Sequence, residues 1–249
     1  MKNHPRSTRR ALLLSLSSAL WAASTVACDS GGAKVETAAA PAAAAAAAPA
    51  AAEAAPAAAP VKNPLVDPRA IAEIGRPAPD FTLPTADGQA VTLSELRGKR
   101  VVLEWFNPEC PFVKKAHDDG PLKDLAARSA AAGIVWLAIN SGAPGKQGHG
   151  AELNQKAGAA WGLTHPILLD ESGAVGQAYG ASNTPHVYVI DEAGALVYRG
   201  ALDNAPMGEP DGGARIAYLE DALAALAGGV AIAIPETRAW GCSVKYAKK

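Results

Sequence analysis

Cysteine is scarce in this chain. Cys28, Cys110 and Cys242 are the only thiols in 249 residues, an odd number that cannot all pair within one molecule. A basic excess is missing too. The net charge is −1 and no long run of Lys or Arg follows residue 67, so nothing points to nucleic acid. Histidine gives no metal pattern, because His149, His165 and His186 are scattered without ligand spacing. Residues 11–26 are apolar and small, yet too short and too serine-rich for a membrane span. Residues 38–60 hold only alanine, four prolines and Glu53. Without large apolar side chains that stretch cannot bury a core, and its prolines interrupt helix.

What is present divides the chain in three. Lys2, Arg6, Arg9 and Arg10 precede the apolar stretch, which is the layout of an export signal. Thr25-Val26-Ala27-Cys28 then resembles a bacterial lipoprotein cleavage box, although leucine is usual where Thr25 stands. The resemblance implies residues 1–27 as a signal peptide and Cys28 as the lipid attachment site. Residues 28–66 would be an Ala/Pro-rich tether, and 67–249 a single folded domain, exported and anchored in the cell envelope. With Cys28 lipidated, Cys110 and Cys242 remain as a candidate pair in an oxidising compartment.

Within the domain, two short runs flank Asp87-Gly88 and read as a hairpin. Ser94 to Gly98 reads as one helical turn. Residues 100–106 form a continuous valine-rich run, as in a strand buried on both faces. A helix over 111–131, broken near Gly120-Pro121, precedes a strand at 134–139. A glycine-rich loop, a helix at 151–160, a short strand at 167–169 and a helix at 174–179 come next. A second hairpin joins 186–190 to 195–199, and Ile216, Leu219, Leu223 and Leu226 give a helix over 214–227. Cys242 lies in the tail beyond it. This order implies an α/β sandwich with a mixed central sheet, flanking helices and an extra N-terminal β-hairpin.

The chemistry gathers at Cys110. It follows a buried strand and a short loop and stands at the N-cap of a helix whose first residue is Pro111, which needs no amide hydrogen. The helix dipole there favours thiolate, the reactive form, and Lys114 and Lys115 add positive charge one turn along. The loop position and the proline argue against burial of the thiol.

Three segments, Pro79-Asp80-Phe81-Thr82-Leu83, the strand-loop-Cys110 run and Thr184-Pro185-His186-Val187-Tyr188-Val189-Ile190-Asp191, together resemble the thioredoxin-like fold of the redoxin superfamily. Cys110-Pro111-Phe112 and Gly241-Cys242-Ser243-Val244-Lys245 are similar to its peroxiredoxin-like branch. The resemblance implies a thiol oxidoreductase without a cofactor, acting on a protein or small-molecule thiol or disulfide and served by an external thiol reductant. Cys110 would be the nucleophile, with Val113 replacing the second cysteine of the thioredoxin Cys-x-x-Cys motif. Cys242 would be a candidate resolving thiol, and a static disulfide or a free cysteine packed under Trp240 are its other readings. Glu104 takes the place of the buried acid of thioredoxins, where a raised pKa would let it act as a general base. Thr184-Pro185 matches the cis-proline loop that holds substrate, and Trp105 and Pro111 would line or support the pocket. Peroxiredoxins carry a proline and a threonine or serine where Leu103 and Asn107 stand, so peroxidase activity is the lesser reading. A metallochaperone or binding module is a third, since His117 lies on the same helix face as Cys110; otherwise His117 is a solvated helix residue.

Overall fold

The computed structural model describes residues 71–210 and 212–248; the expected signal segment, Cys28 and the tether at 28–66 lie outside the described residues. The hairpin pairs β1 (Thr82–Pro84) with β2 (Ala90–Thr92), Leu83 opposite Val91. Its turn needs Gly88, whose φ of 90° is in the region open to glycine. After a 3-10 turn at Leu93–Leu96 come β3 (Val101–Trp105), α1 (Pro111–Asp118), α2 (Leu122–Ala131), β4 (Val135–Asn140), α3 (Ala151–Ala160) and β5 (Ile167–Leu169). Then follow α4 (Ala174–Tyr179), β6 (Asn183–Thr184), β7 (His186–Ile190), β8 (Leu196–Gly200), α5 (Tyr218–Ala227) and β9 (Cys242–Ser243).

The central sheet has the order β5-β4-β3-β7-β8. The pairs β3–β4 and β4–β5 are parallel because helices connect them, whereas β7 runs antiparallel to both β3 and β8. This is the mixed thioredoxin-like sandwich expected. Every residue of β3 is buried, as its valine-rich run requires. Alternation along β3 sends Val101, Leu103 and Trp105 into a core closed by Phe81, Leu83, Val175 and Tyr179. Val102 faces the other way, into a core made with Ala116, Leu122, Leu125, Leu219 and Leu223 of α1, α2 and α5. Full burial of each such side chain contributes about 1.5–3 kcal/mol, so both layers hold the central strand in place.

The break between α1 and α2 falls at Gly120-Pro121, where a Cβ on residue 120 would lie 2.7 Å from Ala116 Cα. The last helix departs from expectation by starting at Tyr218 rather than 214. Polar ties hold the preceding segment in a loop: Arg215 Nη2 donates to Asp203 Oδ2 at 2.8 Å, and the Ile216 amide donates to Asn204 Oδ1 at 2.7 Å. Ile216 is consequently exposed rather than in the core.

Candidate active site

Chain topology places Cys110 just beyond the C-terminal end of β3, at the N-cap of α1, with Pro111 in the first turn. The loop before it is fastened to the glycine-rich loop after β4. Glu109 Oε2 accepts the Gly148 amide at 2.6 Å, and Gly148 (φ 84°) is so close to Asn107 that any side chain there would overlap it. Asn107 is buried, its Oδ1 accepting from the Glu109 amide at 2.9 Å and its Nδ2 donating to Gln147 O at 3.4 Å. The side chain at that position therefore braces the loop.

The tail decides the geometry at the sulfur. Strand β9 pairs antiparallel with β6, so Cys242 lies opposite Thr184 and Ser243 opposite Asn183. Cys110 Sγ donates to Thr184 O at 3.0 Å. Both cysteines are free thiols. The ladder extends through the Val244 amide to Ser182 O at 3.0 Å and through Asn183 Nδ2 to Gly241 O at 2.9 Å. Farther out the tail is pinned on both sides of Cys242. Trp240 Nε1 donates to Asp203 O at 2.7 Å and its ring packs 6.0 Å from Phe112, while Tyr246 Oη donates to Ala181 O at 2.8 Å. Gly241 has φ 114°, and a Cβ there would overlap the Thr184 carbonyl, so the approach of the tail depends on glycine.

One expectation is overturned by this arrangement. Cys110 is fully buried, at 0% exposure, under the tail and among Phe106 and Val113. Burial by itself would raise its pKa, but the neighbouring Cys242 thiol, the Thr184 hydroxyl and the Val113 and Cys242 amides favour the thiolate and hold the group below its ordinary range. In the thiol form Sγ–H points at Thr184 O, and Thr184 Oγ1 is buried without a partner. A thiolate would satisfy that hydroxyl. Cys242 is shifted the opposite way, up to about 11, by burial, by its hydrogen bond to Cys110 and by the adjacent Cys110 charge. Lys115 is engaged instead with Asp119 at 2.8 Å, and Lys114 is exposed.

Glu104 also departs from expectation. It is completely buried, and burial pushes its carboxyl upward. The opposing effect wins: His117 Nε2 donates to Oε1 at 3.0 Å and Trp136 Nε1 to Oε2 at 3.0 Å, and the carboxyl ends below its ordinary value. A carboxylate so held is an anchor for α1 on the sheet, not a base of raised pKa. His117 accordingly is no solvated residue. It is buried, stacked on Trp161 at 4.9 Å, with Nδ1 lacking a partner. Sequence offered no sign of Trp136 beside Glu104 or of Trp161 beside His117, because both tryptophans come from distant elements.

Trp105 is not at the site either. It lies in the opposite core layer, fully buried against Tyr179 and Tyr188, with Nε1 donating to Ser141 Oγ at 3.0 Å. Of the remaining expected contacts, Pro111 is exposed, while Thr184 and Pro185 are buried beneath the tail, joined by a cis peptide bond. Among the described residues, no group of three or more His, Cys, Asp and Glu side chains could hold a metal ion.

Residues 73–214 match the Redoxin family over more than half of the chain. The chain belongs to the Redoxin family. This redoxin is 32% identical over 125 residues to the thiol-disulfide oxidoreductase ResA of Geobacillus thermodenitrificans, covering 49% of this chain and 66% of that protein. It is likewise 32% identical over 139 residues to a Mycobacterium tuberculosis protein whose name assigns it provisionally to the peroxiredoxins, covering 49% and 81%. The chain spans about two thirds of the length of the first curated relatives it matches. A solved structure of an uncharacterized conserved protein from Geobacillus kaustophilus superposes with TM-score 0.62 at 30% identity, over 71% of this chain and 94% of that one. A hypothetical protein from Sinorhizobium meliloti also gives 0.62, at 28% identity, over 76% and 100%.

Proposed function

We propose that this redoxin is a thiol-disulfide oxidoreductase whose redox pair is Cys110 and Cys242. One observation carries the reading: the β6–β9 ladder sets Cys242 opposite Thr184, whose carbonyl is the hydrogen-bond partner of Cys110 Sγ. The Cys110 thiolate attacks a substrate disulfide, forms a mixed disulfide and releases the first substrate thiolate. Cys242 then attacks Cys110 Sγ as its proton leaves, closing Cys110–Cys242 and releasing the second substrate thiolate. Two external thiols return the pair to the reduced form. Because the tail covers Cys110, a protein disulfide reaches it only when the two-residue ladder parts. Likeness to ResA, named a thiol-disulfide oxidoreductase, supports the reaction class.

The test combines activity with redox titration. Cys110→Ser abolishes disulfide reduction in an insulin assay while the circular dichroism spectrum is retained, and the wild-type chain forms a reversible Cys110–Cys242 bond in graded glutathione buffers. Unchanged turnover in the variant, or two independent thiols at every potential, would sink the reading. The basic and apolar N-terminus and the cleavage-box resemblance at Cys28 support an exported, lipid-anchored protein, with the Ala/Pro segment as its tether.

Peroxide reduction is the second reading. It is favoured by the covered Cys110, which a small oxidant reaches more readily than a protein does, and by the similarity to the provisionally named peroxiredoxin. Against it, Leu103 is packed in the core and Asn107 is occupied with loop contacts, leaving neither free to orient a peroxide. A peroxide-consumption assay separates the two.

A further inference from the structure

The two sulfurs differ in reach. Cys110 has no exposure, and its surroundings are Phe106, Val113 and the Thr184 carbonyl. Cys242 is only partly buried. Its neighbours Phe112 and Trp240 form one wall of an open cleft of about 460 Å³, also lined by Lys115, Met207 and Arg215. A nucleophile attacking a disulfide must approach in line with the S–S bond. Cys110 is closed off by packed side chains, whereas Cys242 keeps partial exposure, so an incoming thiolate has access to the second and not to the first.

We propose that, in the oxidised protein, the reducing thiol enters at Cys242 Sγ and expels Cys110 as the thiolate, so that Cys242 carries the mixed disulfide. The inference rests on the Cys110–Cys242 pair proposed above. An external thiolate forms a bond to Cys242 Sγ, and the Cys110–Cys242 bond breaks with its electron pair going to Cys110. A second external thiolate attacks the reductant's own sulfur in that mixed disulfide. The reductant leaves as its disulfide, and the Cys242 thiolate takes up a proton from solvent. In balance, two thiols are oxidised and one protein disulfide is reduced. Leaving-group chemistry favours the same direction. Exchange is faster when the departing thiol is the more acidic one. The surroundings that hold Cys110 below its ordinary range and Cys242 above it make Cys110 the better leaving group.

The test uses the full chain, oxidised with oxidised glutathione, then given a brief pulse of reduced glutathione, acid-quenched, alkylated and peptide-mapped. Mapping distinguishes the three cysteines. The expected result is glutathione on Cys242 and alkylation on Cys110, in at least tenfold excess over the reverse pattern. Glutathione on Cys110, an even split, or reduction with no adduct at any pulse length overturns the inference while leaving the pair intact. An oxidised chain whose mass shows no internal disulfide before the pulse overturns the pair itself, and the inference with it.

Discussion

In the reduced chain Cys242 is held at a pKa of about 11, against an ordinary 9.0, and part of the cause is the Cys110 thiol beside it. Burial is the largest contribution, followed by the hydrogen bond to Cys110 and the Coulombic effect of its charge. Two units leave about a hundredfold less Cys242 thiolate at neutral pH than an ordinary thiol would have. Each thiolate that does form is more nucleophilic, by roughly six- to tenfold for a Brønsted slope near 0.4–0.5. The balance is a reaction about tenfold slower than that of an ordinary thiol. Replacing Cys110 with Ala removes the hydrogen bond and the charge but leaves the tail where it is. Cys242 in Cys110→Ala is therefore expected to alkylate several-fold faster than in the reduced wild-type chain, with about tenfold as the ceiling. The measurement is the initial rate of iodoacetamide labelling at Cys242, read by peptide mapping from pH 7 to about 12 so that the midpoint is spanned, with the urea-unfolded chain as reference. The midpoint for Cys242 should move down toward 9 in the variant. Equal rates and equal midpoints in the two folded proteins would refute the coupling, because a shift due to burial alone is indifferent to Cys110.

Two other outcomes follow from single groups. His186 is buried and held neutral, its pKa lowered from 6.5 to about 4 by burial and then by Arg199. The unfolded chain binds this proton first, so its contribution is complete above pH 6.5 and is lost as pH falls toward 4. Between pH 6.5 and 5 the loss amounts to about 1.6 kcal/mol of unfolding free energy, measured by urea titration. His165 adds to it in the same direction. His186→Gln should flatten that slope, and an unaltered slope would refute the assignment. At Gly241, any side chain overlaps the Thr184 carbonyl, so Gly241→Ala should lift the tail from β6. Closure of Cys110–Cys242 by oxidised glutathione should then slow at least about tenfold, since the proximity of the two sulfurs is lost. A closure rate equal to wild type would show that the ladder does not set the approach.

Alternation and turn chemistry were enough to locate most elements. The valine run of β3, the Asp87-Gly88 hairpin and the Gly120-Pro121 break are local signals, and the structure places them as read. The start of α5 was illegible because Ile216 continues the helical spacing, while Asp203 and Asn204 of the loop after β8 bind Arg215 and the Ile216 amide and hold the segment out of the helix. The site divides in the same way. Cys110 at the head of α1 is a local pattern of strand, loop, cysteine and proline, visible in the chain alone. Its burial is not local, because the cover comes from a tail more than a hundred residues away in sequence. Glu104 shows the limit most clearly. Sequence places an acid on a buried strand and so suggests a raised pKa. Only the fold supplies His117 and Trp136, and their two hydrogen bonds reverse the sign of the shift.

The sequence by itself determined the family, the sandwich and the candidate thiols, because those rest on periodicity and on motifs contiguous in the chain. Tertiary structure alone decided that the tail pairs Cys242 opposite Thr184, whose carbonyl Cys110 contacts, that Cys110 is buried and Cys242 only partly so, and which neighbours shift each titratable group. Those depend on which residues distant in the chain share a few ångströms of low-dielectric space, and no spacing along one chain encodes that.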